Sequence, residues 1–143
     1  MSNFFYNDGT EEIKEELLDG KAKEWAESFL KPKWPPRGSG MKNPKLTSAQ
    51  LRKFHREVKE LEERVKGLEN PQTEFTRIRP IVKMLKSKVA YACPSNGVER
   101  KVPEEFRKYI EDMVDNVVDA KDFLAFALCF EAVVGYFYGQ GGR

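Results

Sequence analysis

The clearest pattern of apolar and polar positions lies between residues 47 and 68. Leu51, Phe54, Val58, Leu61, Val65 and Leu68 follow one another at steps of 3, 4, 3, 4 and 3. That spacing puts all six on one side of a helix and leaves the rest of the surface polar. A seam sustained over more than two heptads needs a helical partner. Thr47 is placed to cap this helix, and Gln50 three residues on suits a capping box. Gly67, Asn70 and Pro71 end it.

A third helix is expected to start near Asn70 or Thr73, with Phe75, Ile78, Ile81, Val82, Leu85 and Val89 as its apolar stripe. Pro80 falls inside this pattern, where its ring removes a hydrogen bond and favours a kink. CPSNG, residues 93–97, reads as a loop. A fourth helix follows, with Pro103 at its first position and Phe106, Ile110, Met113, Val114 and Val117 on its inner face. Asp119 or Asp122 can cap a fifth, DFLAFALCFEAVVGYFYG, which is apolar nearly all round and is expected at the centre.

Upstream, MSNFFYNDG (residues 1–9) reads as an arm. Asp8 or Thr10 is expected to cap the first helix, with Glu11, Glu12, Glu15 and Glu16 in its first turns, Gly20 in its middle and Pro32 stopping it. KPKWPPRGSGMKNPK, residues 31–45, holds four Pro and two Gly and reads as a linker. No alternating strand pattern of useful length appears. The expected fold is all-α: a compact, single-domain bundle of about five helices over residues 1–143.

Composition agrees with one modest domain of 143 residues. Aromatic residues at 12%, ten of them Phe, argue against intrinsic disorder. Two cysteines cannot build a disulfide framework, and no leader-like or bilayer-spanning uncharged run is present. A cytoplasmic protein without membrane contact is therefore expected. Net charge is only +2, but it is unevenly spread. Residues 1–40 carry 6 basic and 8 acidic side chains, residues 41–101 carry 15 and 7, and residues 102–143 carry 4 and 8. A basic middle between acidic ends suits a phosphate-binding surface.

At about 100° per residue, Arg52, Arg56, Lys59 and Lys66 share one strip of the second helix, interrupted by Glu63. Lys53, Glu57, Glu60 and Arg64 form a mixed strip beside it. On the third helix Arg79, Lys83 and Lys86 cluster, while Arg77 and Lys88 lie on another edge with Met84 and Tyr91. No acid interrupts residues 77–88. Such strips commonly are solvated decoration, paired with nearby carboxylates. Two of them, together with an acid-free basic linker, favour salt-dependent and sequence-tolerant phosphate binding instead. Nothing resembles the aromatic sheet platform of base-reading domains.

Catalytic constellations are not apparent. His55 is the only histidine and borders the seam without a placed partner. Cys129 is expected as an inert core thiol and Cys93 as a boundary residue. No glycine-rich phosphate loop or metal-ligand spacing occurs, so no cofactor and no metal is expected. Trp25 is expected in the core. Trp34 and the aromatic arm (Phe4, Phe5, Tyr6) are candidate partner contacts.

Three stretches, in order, resemble a known family. LTSAQLRKFHREVKELEERVK (46–66) opens on an L-T-x-x-Q-x-R-K-F motif, IVKMLKSKVAYA (81–92) carries K-x-K-V-A-Y-A, and KDFLAFALCFEAVVGYF (121–137) closes the series. Together they resemble the small helical subunit of type III-A (Csm) CRISPR RNA-guided complexes, over roughly residues 45–138; residues 1–44 match no part of it. The resemblance implies a five-helix bundle without catalytic activity, a component of antiviral defence, with residues 46–138 as its family-like core. It implies crRNA and target RNA, and the backbone and large subunits of the effector complex, as partners; self-association is left open. By position it implies RNA contacts at Arg52, Lys53, Arg56, Lys86 and Lys88, with Lys83 by helical phase; Lys45 and Arg79 join them as neighbours in the basic segments. The competing readings are a free-standing helical nucleic-acid-binding regulator and a protein–protein adaptor.

Overall fold

A computed structural model describes residues 4–33, 38–96 and 99–143. Trp34, and Arg37 of the basic linker, lie outside the described residues. The seam of the second helix is realised: Leu51, Phe54, Val58, Leu61 and Val65 are all buried on α2 (Ser48–Lys66), and Leu68 packs half-buried just beyond it. Thr47 Oγ1 accepts from the Gln50 amide at 3.3 Å. Leu46 and Leu51 flank the cap at hydrophobic-staple positions, and both are buried.

The remaining helices are α1 (Gly20–Leu30), α3 (Pro71–Ala92), α4 (Glu104–Asp115) and α5 (Ala120–Gly139). Their packing forms a ring: α1 touches α5, α5 touches α2, α2 touches α3, α3 touches α4, and α4 returns to α1. Aromatic rings fill the interior. Phe106 on α4 meets Phe29 of α1 and Phe54 of α2, both at 5.2 Å, and Phe130 of α5 at 6.3 Å. The fold is all-α, as expected. Among the described residues the one β feature is an isolated antiparallel bridge between Tyr6 and Ile13.

That bridge belongs to a correction. The first helix does not begin at Asp8 or Thr10. Residues 5–14 fold as a tight turn, with Asn7 N donating to Glu12 O, Thr10 N to Asn7 O and Lys14 N to Phe5 O. Gly9, at φ 71°, supplies the left-handed residue of that turn. After a short 3-10 turn at Glu15–Leu17, α1 starts at Gly20, capped by Asp19. Gly20 therefore opens the helix rather than weakening its middle. The expected contact arm is also corrected for Phe5, which is fully buried. Phe4 and Tyr6 pack against the same core, and the Tyr6 hydroxyl donates to Lys121 O at 2.7 Å.

A smaller difference concerns α3. Ile81, expected on the buried stripe, is 38% exposed, because the stripe turns through Ile78, Val82 and Leu85 instead. Pro80 lies on the exposed side, and the helix continues past it to Ala92. By length and composition α5 could cross a membrane. Here Phe123, Phe126, Phe130, Val133 and Phe137 bury one side of it in the bundle. Leu128, Glu131 and Tyr138 stay exposed, yet α5 touches α1, α2 and α3 and has more buried residues than any other described helix. The C-terminus of α5 closes with Gly141 N bonded to Tyr138 O and Gly142 N to Phe137 O, a Schellman pattern with Gly141 at φ 89°.

The 31–45 segment is pinned in part to the start of α4. Asn43 Oδ1 accepts from Glu104 N at 2.8 Å, and Asn43 Nδ2 donates to Glu105. Pro103 precedes the first helical residue, and α4 has no cap side chain of its own, so Asn43 satisfies one of its free amides from outside.

Candidate nucleic-acid interface

Because α5 and α3 flank α2, the polar side of α2 divides into three. One edge faces α5: His55 Nε2 donates to Glu131 Oε2 at 2.7 Å, and Lys59 Nζ lies 3.2 Å from the same oxygen. The opposite edge faces α3, where Lys88 Nζ meets Glu57 at 2.7 Å. Arg52, Lys53 and Arg56 remain on the open face. All three are exposed, and none forms an ion pair among the described residues. Lys45 is exposed at the foot of this face, just before the buried Leu46, whose amide bonds to Phe29 O at 2.9 Å.

The basic side chains of α3 leave by two different edges. Lys86 Nζ reaches Asp115 of α4 at 2.5 Å, whereas Lys88 reaches back to α2. The Asp115 hydrogen bond raises the Lys86 pKa against the opposing effect of burial. Arg79 and Lys83 share the Lys86 edge by helical phase. Both are exposed and without an ion pair among the described residues. Of the predicted α3 residues, only Lys88 therefore stands beside the α2 set. Arg79, Lys83 and Lys86 form a second basic edge, turned toward α4.

The short Gly67–Asn70 connection makes α2 and α3 antiparallel, so the end of α3 meets the start of α2. A cleft of about 340 Å³ opens there, lined among others by Lys53, Glu57, Lys88, Tyr91 and Lys101. Tyr91 is 82% exposed, and Lys101 Nζ sits 5.8 Å from its ring centre. Helical spacing does not point to Lys101. Its place depends on the loop after α3 folding back: Lys101 N and Val102 N both donate to Ala92 O. Arg100, largely buried, holds that loop with Nε on Pro94 O at 2.8 Å.

The groups with reactive chemistry are otherwise engaged. Burial pushes the Cys93 thiol up to about 11 and the Cys129 thiol up to about 12. Cys93 Sγ donates to Glu104 at 3.4 Å. Trp25 is half-buried, its ring 4.8 Å from Tyr109. No group of three or more His, Cys, Asp or Glu side chains able to hold a metal occurs among the described residues.

Neither a curated protein nor a solved structure matches the chain. The family model described as Csm2 Type III-A matches residues 36–142. That span takes in α2 through α5, hence the open basic face, both edges of α3 and the Tyr91 cleft. With an all-α ring of helices, and with three-quarters of the chain under one family model, the protein belongs to the Csm2 family, the small helical structural subunits of type III-A CRISPR complexes.

Proposed function

We propose that this subunit binds the guide and target RNA of its complex through phosphates, with little regard to sequence and without catalysing a reaction. The observation that carries this is the open face of α2. Arg52, Lys53 and Arg56 are exposed, close together along one helix, and not neutralised by carboxylates among the described residues. Cations left unpaired on one face, while Lys59, Lys86 and Lys88 are each matched to an acid, are suited to an external anion. Lys45 extends the face toward the helix N-terminus, where the helix dipole also favours anions. The reading as a non-catalytic subunit is supported by thiols that burial keeps protonated and by a His55 committed to Glu131.

The test is RNA affinity of the full chain across a salt series. Arg52→Ala together with Arg56→Ala is expected to weaken binding to RNA of any sequence. The slope of log affinity against log salt should flatten by about 0.7 for each phosphate no longer neutralised on a single strand. Unchanged affinity and slope would refute the proposal. A regulator that reads bases would instead show a strong sequence preference surviving high salt.

A further inference from the structure

We infer that the cleft where α3 ends beside the start of α2 seats one unstacked nucleotide of a single-stranded RNA, its base on the Tyr91 ring and its phosphates among Lys53, Lys88 and Lys101. This rests on the RNA-binding reading and adds a subsite to it. A lone exposed aromatic is ordinary on a protein surface. Tyr91 differs in its setting. It projects from the last turn of a 22-residue helix, next to Ala92, whose carbonyl is held by two amides of the returning loop. The tyrosine is 82% exposed, with Lys101 Nζ over its ring at 5.8 Å from the centroid. Lys53 and Lys88 line the same cleft, and the one acid there is Glu57, already bonded to Lys88. The cleft, at about 340 Å³, falls in the range of small-ligand sites.

An exposed ring in a cleft that also holds three lysines matches a ligand that carries an aromatic face and an anion a few ångströms apart. A nucleotide has both, and every base offers a face, so the site is sequence-tolerant. The base must be unstacked. Within a duplex its faces are covered by its neighbours, and the strand would meet only the lysines. Phe54 and Ala92 give the cleft an apolar floor, while Gln50 and Ser87 offer polar atoms at its rim.

The experiment compares the full chain with Tyr91→Ala and Tyr91→Phe at low salt. The probes are a fluorescein-labelled mixed-sequence 12-mer RNA, the matching abasic ribose–phosphate 12-mer and polyglutamate. Tyr91→Ala is expected to weaken RNA binding by about 5- to 100-fold and to leave the abasic strand unaffected. Tyr91→Phe should bind RNA as the parent does. Equal losses on RNA and the abasic strand, or no loss on either, overturn the subsite. If no Tyr91 variant alters RNA binding but Arg52→Ala with Arg56→Ala does, the subsite is wrong and the RNA-binding reading stands. If the parent chain binds none of the nucleic-acid probes, both fail. A Tyr91-dependent affinity for polyglutamate exceeding that for RNA would assign the cleft to an acidic protein partner and overturn the proposal.

Discussion

Lys86 and Lys88, two positions apart on α3, serve opposite neighbours: Lys86 pairs with Asp115 of α4 at 2.5 Å, and Lys88 with Glu57 of α2 at 2.7 Å. The helix between them acts as a divide. One lysine belongs to the cleft that also holds Lys53, and the other to the edge shared with Arg79 and Lys83. Removing them should therefore have different effects on RNA binding. Lys53→Ala with Lys88→Ala is expected to weaken binding and to flatten the salt dependence by about 0.7 for each phosphate left without its lysine. Lys86→Ala should change both much less, since Lys86 lies on the α4 edge, away from Lys53 and the cleft. Fold stability should move by about 0.5 kcal/mol or less at each of the exposed Lys53 and Lys88. A fluorescence-anisotropy titration across salt checks this, and a larger effect from Lys86→Ala would place RNA on the α4 edge.

The helix phases behind that contrast are legible in the sequence, but the neighbours are not. Spacing alone separates the Arg79–Lys83–Lys86 edge from the Arg77–Lys88 edge. It does not say that α2 lies on one side and α4 on the other, which follows from the closed ring of helices. The seam of α2 and the inner faces of α3 and α4 are readable because long, strict periodicities leave one arrangement of buried side chains. The start of the chain is not. Four glutamates resemble an acidic first turn, yet the bridge from Tyr6 to Ile13 and the burial of Phe5 hold those residues in a hairpin-like turn. Local propensity yields there to long-range packing. Lys101 is hidden for a similar reason, since its position beside Tyr91 depends on Arg100 tying down the preceding loop.

The interior makes a second prediction. Tyr109 is wholly enclosed by rings, with Trp25 at 4.8 Å, Phe29 at 5.5 Å and Phe130 at 5.9 Å, and its hydroxyl has no hydrogen-bond partner among the described residues. Burial pushes its pKa well up. An unsatisfied buried hydroxyl costs about 1–3 kcal/mol. Tyr109→Phe, which keeps the ring and removes the oxygen, is expected to be neutral or stabilising in urea unfolding. Leu61→Ala in the α2 seam is the contrasting variant, with a loss of about 2–5 kcal/mol. Marked destabilisation by Tyr109→Phe would mean that the hydroxyl has a partner.

The two thiols give a third. Cys93 and Cys129 are buried, and their pKa values of about 11 and about 12 leave almost no thiolate near pH 8. The thiolate is the reacting species. Modification by a disulfide reagent should therefore be slow in the folded protein and fast in denaturant for both. Rapid labelling of either under native conditions would contradict their burial.

The C-terminal cap of α5 supplies a fourth. Gly141 adopts φ 89°, and a Cβ at Gly142 would approach the Phe137 ring to 2.3 Å. Gly141→Ala should cost roughly 1 kcal/mol through its left-handed backbone, and Gly142→Ala should destabilise by displacing a buried core ring. Gly20→Ala meets no atom within 4 Å and sits at the start of α1, so it is expected to be neutral or mildly stabilising. Thermal unfolding of the three variants orders them; a Gly142→Ala protein as stable as the parent would show that the tail does not rest on Phe137.

The packing of α2 against α5 carries a pH dependence whose direction follows from Glu131. The hydrogen bond from His55 holds the Glu131 pKa below the usual carboxylate range, opposed by burial and assisted by Lys59. Its folded pKa thus lies below its unfolded one, near 4.3 in an unstructured chain. The group contributes stability that is fully present above that unfolded value and is lost as pH falls through the folded value. Glu131 is half exposed, at 49%, so solvent screening limits the contribution to about 0.2–1 kcal/mol. Glu131→Gln should lower stability by that amount at pH 6 and by nothing measurable at pH 2.5, so that the two urea curves converge on acidification. The gap should also shrink at high salt, because the pair is solvent-accessible. A gap that widened as pH fell would require Glu131 to be stabilised in its protonated form, and the hydrogen bond joining α5 to His55 would then have to be assigned differently.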